Sequence, residues 1–81
     1  TEGRRDMKSH GESSRLIKER LREEIRHSGL TTVEIARRVG VSPEMITQYM
    51  TTKKLPKLDT FAALCRALDL SADYILGLKD Y

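Results

Sequence analysis

The sequence predicts an all-α fold, a five-helix bundle in one small domain, and three observations lead there. Apolar residues recur three and four positions apart in successive segments, the period of a helix with one buried face. Ser or Thr stands at the head of most of these segments, and Gly or Pro stands just past their ends. Eighty-one residues, 33% of them charged and 5% aromatic, give a core that is small but sufficient for a compact helical bundle.

The first helix is expected over residues 14–26. Leu16, Ile17, Leu21 and Ile25 form its apolar stripe, Lys18, Glu19, Arg20, Arg22 and Glu23 lie mostly outside it, Ser13 or Ser14 caps it, and Gly29 lies beyond its end. The second helix opens at Thr31, with Glu34 three positions on, a capping-box pattern. Leu30 and Ile35 flank that cap as a hydrophobic staple, and Gly40 supplies the backbone freedom of a tight corner. The third helix has Ser42 as cap and Pro43 at its first position, where a missing N–H does no harm, and runs to about Met50. Pro56 interrupts the chain next. The fourth helix carries Leu58, Phe61, Leu64, Cys65 and Leu68 on one face. The fifth is short, capped by Ser71, with Leu70 and Ile75 as a second staple, Ile75 and Leu76 facing in, and Gly77 at its end. Residues 1–12 are expected to be a disordered arm and residues 13–81 the folded domain. Met7 is a candidate start of the natural chain.

The charge is uneven. Residues 13–28 carry net +2, residues 31–57 net +3 and residues 58–81 net −2, within an overall +3. Such a split suits a face turned to a polyanion, and it also suits ordinary solvated surface charge. No stretch approaches the roughly 18 apolar residues of a membrane span. A single cysteine, Cys65, excludes an internal disulfide and fits a reducing, cytoplasmic setting. On the apolar face of the fourth helix it reads as a small core hydrophobe. His10, His27 and Cys65 are too scattered for a metal site, and no nucleophile–base pairing or glycine-rich phosphate loop is visible. Neither an enzyme, nor a cofactor, nor a small-molecule ligand is predicted.

The segment "TTVEIARRVGVSPEMITQYM" holds two short amphipathic helices at a corner. Two helices crossing steeply need a small residue at the crossing, and Ala36 is one. They need a permissive turn, and Gly40 is there. They need apolar groups that lock the pair: Ile35, Val39, Val41, Ile46 and Tyr49. Together with "LPKLDTFAALCRALDLS" and "ADYILGL", these residues resemble the Cro/C1-type helix-turn-helix domains of phage repressors and their bacterial relatives, over roughly Ser14 to Leu78. The resemblance implies a lambda-repressor-like five-helix bundle that binds operator DNA as a symmetric dimer. Thr32, Pro43, Met50 and Thr52 depart from the family's frequent Gln, Gln, acid and Gly.

In that arrangement the third helix enters the major groove. Its outward residues, Glu44, Met45, Thr47, Gln48 and Thr51, are the candidate base contacts. Gln48 suits the paired N6/N7 edge of adenine, and Thr47 can bond to a base or pack on a thymine methyl. Glu44 suits cytosine N4, although a helix dipole alone explains an acid in a first turn. Thr32, Arg37, Lys53, Lys54 and Lys57 are candidate phosphate contacts, which set register without reading sequence. Tyr74, Leu78 and Tyr81 are candidate dimer contacts. The expected function is a sequence-specific regulator binding double-stranded DNA, a repressor, as a homodimer on a palindromic operator. A protein-interaction module on the same helices, such as an antitoxin or co-regulator subunit, is the alternative.

Overall fold

The computed structural model describes residues 10–80, with side chains from Glu12 onward. Five helices follow one another: α1 (His10–His27), α2 (Thr32–Val39), α3 (Pro43–Thr51), α4 (Leu58–Leu68) and α5 (Ala72–Ile75). No strand occurs among the described residues. α2 packs on α3 and α4, and α1 packs on α3 and α5.

α1 is longer than the sequence predicts. Residues 10–12, expected in the arm, make its first turn, with Glu12 where the helix dipole favours an acid. Ser13 and Ser14 therefore lie inside the helix and do not cap it. The rest of the expected arm, residues 1–9, is outside the described residues. At the other end, the Ser28 hydroxyl donates to the Ile25 carbonyl at 2.7 Å and accepts from the Leu30 amide, so it turns the chain into α2.

The cap of α2 forms by half. Thr31 Oγ1 accepts from the Glu34 amide at 3.1 Å. Glu34's carboxylate pairs instead with Arg37 at 2.9 Å and Arg38 at 3.3 Å, where two guanidinium groups outcompete one backbone amide. The helix stops at Gly40, whose φ of 90° is left-handed. The amides of Gly40 and Val41 both donate to the Ala36 carbonyl, which closes the corner. α3 starts as the sequence predicts: Ser42 Oγ accepts from the Met45 amide, and Pro43 takes the first position.

The core gathers Leu21 and Ile25 from α1, Ile35 and Ala36 from α2, Ile46 and Tyr49 from α3, Phe61 and Leu64 from α4 and Ile75 from α5. Fully burying such a leucine or isoleucine is worth about 1.5–3 kcal/mol. Cys65 lies partly buried against this core.

Two residues expected in the core are exposed, and Leu16 of the α1 stripe is only half-buried. Leu58 is 82% exposed. Residues 57–59 are exposed throughout, so the apolar period of α4 runs on past the point where anything covers it. Leu76 is exposed as well, because α5 ends one residue earlier and Leu76 becomes its cap. Arg20 fastens this C-terminal end to α1: its guanidinium stacks 4.2 Å from the Tyr74 ring centroid and donates to the Tyr74 and Lys79 carbonyls.

Candidate nucleic-acid interface

α3 divides cleanly into two faces. Ile46 and Tyr49 are buried, and they hold the helix to the bundle. Glu44, Thr47, Gln48 and Thr51, at offsets of three, four and seven, are all exposed along the opposite side. Met45, expected on this outer face, is half-buried and packs against the core. It sits one position before Ile46, at the border of the buried stripe, and an apolar side chain there folds inward.

The outward side chains differ in what they have left to offer. The exposed Gln48 side-chain amide makes no hydrogen bond among the described residues, so its donor and its acceptor are both available. Thr51 Oγ1 donates to the Thr47 carbonyl at 2.9 Å, which commits its proton and leaves its methyl and lone pairs. Thr52 likewise donates to the Gln48 carbonyl and accepts from the Lys54 amide. That arrangement ends α3 and fixes the start of the following loop.

The residues singled out for phosphate fall into two groups. Lys53, Lys54 and Lys57 are exposed in the loop directly after α3, with no carboxylate partner among the described residues. Thr32, half-buried, and Arg37, exposed, stand on α2. Arg37 is already paired with Glu34, so its charge is partly neutralised. Of the packing residues, Ile35, Ala36, Ile46 and Tyr49 are buried, Val39 and Val41 pack partly against the core, and Gly40 makes the turn. Leu78 is 71% exposed, Tyr74 packs partly against the core under Arg20, and Tyr81 lies outside the described residues.

One residue of this surface is not evident from the sequence. Lys18, on α1, is 7% exposed although it lies off the apolar stripe. Its ammonium donates to the Lys54 carbonyl and lies 5.8 Å from the Tyr49 ring centroid. α1 thereby holds the basic loop against the helix that precedes it. Burial, and then the neighbouring Arg22 charge, lower the Lys18 pKa. Burial, and then Asp59, raise that of Tyr49, and burial alone raises that of the Cys65 thiol. The only trace of Lys18 in the sequence is its place between Ile17 and Leu21, beside the stripe.

A family model described as a helix-turn-helix domain matches residues 19–75. The chain belongs to the helix-turn-helix family. The match spans α2, the corner at Gly40 and α3, together with most of the bundle that carries them. The chain is also similar to an uncharacterized HTH-type transcriptional regulator, YobD, of Bacillus subtilis (strain 168), at 37% identity over 62 residues. That alignment covers 76% of this chain and 55% of the relative, so this chain spans about half the length of the protein it resembles. No solved structure matches it. The helix-turn-helix domain is of the Cro/C1 type that its corner and fourth helix resemble. Among the described residues no helix is long and apolar enough to cross a membrane.

Proposed function

We propose that this helix-turn-helix domain is a sequence-specific transcriptional regulator, a repressor that reads the major groove of double-stranded DNA with α3. The observation that carries the reading is a surface of two parts. An exposed row of Glu44, Thr47, Gln48 and Thr51 can address base edges, and Lys53, Lys54 and Lys57, with no carboxylate partner among the described residues, follow it in the next loop. Family membership and the relative's description as a transcriptional regulator support the DNA-binding part. Met45 plays a smaller part than the other four because it is half-buried. Thr32 and Arg37 supplement the lysines at the backbone.

One recognition helix reads only a few base pairs, and each contributes about 1–3 kcal/mol, too little to single out one site in a genome. The domain therefore acts as a homodimer on a palindromic operator, with Leu78 in the contact between subunits. Selection of bound sequences from a random duplex pool tests the reading. A palindromic consensus should emerge. With roughly 4–6 phosphate contacts per subunit, affinity for it should fall steeply with salt. A pool with no enriched sequence, or binding that is flat from low to physiological salt, refutes DNA as the target and leaves the protein-interaction alternative.

A further inference from the structure

A cleft of about 560 Å³ opens between the N-terminal half of α1 and the end of α3. Arg15, Lys18 and Arg22 wall it from one side, and Thr51, Thr52 and Lys53 from the other. The three α1 cations are three and four residues apart, so one face of the helix presents them all. Glu19 is the one carboxylate among the lining residues, and it is exposed. Four cations thus converge on a space with a single anion at its edge.

Two features make this more than surface charge. Arg22 Nε is buried and has no hydrogen-bond partner among the described residues. A buried guanidinium N–H without an acceptor carries its full desolvation penalty, while the rest of the half-buried Arg22 side chain lines the cleft, where an oxyanion meets its charge. Lys18 is also buried, and its ammonium uses one of three donors on the Lys54 carbonyl. The Thr51 and Thr52 hydroxyl protons are committed to α3 carbonyls, so the donors left in the cleft are the cations and the Ser14 hydroxyl. The like charge of Arg22 beside Lys18 works against the Lys18 ammonium in the absence of an anion.

We propose that this cleft is an oxyanion site that takes a phosphate group, held by the converging Arg15, Lys18, Arg22 and Lys53 charges. Phosphate matches the site because it offers acceptors in several directions and negative charge to four converging cations, one charge on a duplex phosphodiester and more on a terminal phosphate. The cleft is open on one side and larger than a bare phosphate, so it also admits a phosphate carried on a larger body. That body is either a nucleotide of bound duplex beyond the reach of α3 or a free phosphorylated molecule. In the first form the proposal rests on the DNA reading above; in the second it stands apart from it. Either occupant reaches Lys53, which lines the cleft at the start of the basic loop.

The test follows the Arg22 side-chain Nε–H by NMR as inorganic pyrophosphate is added at constant ionic strength, with chloride as the control. The same protein and its Arg22→Gln and Lys53→Gln variants are titrated onto duplex DNA over a range of salt. Circular dichroism checks that each variant is folded; Lys53 is exposed, so its variant keeps the test open if Arg22→Gln does not fold. A saturable shift with pyrophosphate, weakened about tenfold by Lys53→Gln, establishes the site. A salt slope lowered by about one in Arg22→Gln identifies duplex phosphate as the source; an unchanged slope with the pyrophosphate shift present identifies a free phosphorylated molecule. If the wild type binds no duplex, the DNA reading fails and the pyrophosphate titration alone decides the cleft. No pyrophosphate response beyond that of chloride, together with an unchanged salt slope, overturns the proposal.

Discussion

Gly40→Ala tests the corner that sets α3 against the bundle. Gly40 has φ 90° and ψ 30°, on the left-handed side where L-residues are disfavoured. A Cβ built there meets nothing within 4 Å, so the substitution involves no clash. The whole effect is conformational: about 1–2 kcal/mol for a left-handed residue with a side chain. Against that stands a gain of about 0.4–1 kcal/mol from the stiffer unfolded chain. The net loss is about 1 kcal/mol, a fall in melting temperature of about 4–8 °C for a domain of this size. Asparagine, which tolerates the left-handed region, should lose less. Valine, branched at Cβ, should lose most. Thermal unfolding followed by far-ultraviolet circular dichroism reads the series. An alanine variant that melts at or above the wild-type temperature, or a valine variant equal to alanine, refutes the reasoning, because either outcome means the turn does not require positive φ.

Four further outcomes follow from the same structure. Ala36 is 2% exposed where α2 is enclosed by its neighbours, so Ala36→Leu should overpack the crossing by about 1–3 kcal/mol; an unchanged melting temperature with lost DNA affinity contradicts that role. Lys18→Met removes a buried cation and its bond to the Lys54 carbonyl. DNA affinity should fall and amide exchange in residues 52–57 should quicken. The Lys18 pKa is lowered in the folded state, so in the window between that value and the ordinary lysine value the unfolded chain binds more protons. Wild-type stability should therefore rise with pH relative to Lys18→Met across that window, and a flat difference refutes the burial argument. Gln48→Ala should relax preference at one base pair by about 1–3 kcal/mol, whereas Lys54→Ala should weaken binding to all sequences alike; identical effects on every sequence mean the recognition face is wrongly assigned. Leu78→Glu should abolish cooperative loading on a palindrome and leave the melting temperature unchanged, since Leu78 is 71% exposed. Stable one-to-one binding by the wild type refutes the dimer.

The helices and the corner were legible because their signals are local. Thr31, Ser42 and Ser71 each accept a hydrogen bond from an amide three residues on, an interaction that depends on little beyond four consecutive residues. Gly40 marks a left-handed turn for the same reason. The polar row on α3 also follows from period alone, once Ile46 and Tyr49 are known to face inward. Met45 shows the limit of that logic. Expected on the outer face, it also stands four positions before Tyr49, so it shares the border of the buried stripe and turns inward where there is room.

What tertiary structure decided is which residues from distant segments meet. Leu58 continues the apolar pattern of its helix yet stays 82% exposed, and Leu76, beside α1, is only partly covered; burial requires a partner as well as a period. Lys18 reads as a solvated lysine in any window of the sequence. It becomes a buried donor because the loop 36 residues later passes over it and presents the Lys54 carbonyl. The cleft of Arg15, Lys18, Arg22 and Lys53 arises in the same way: three of these charges share a face of α1 by spacing, and the fourth arrives through the packing of α1 against α3. Capping and periodicity act over one or two helical turns and are written in the chain. The desolvation of a charge depends on everything packed around it, and only the assembled bundle determines that.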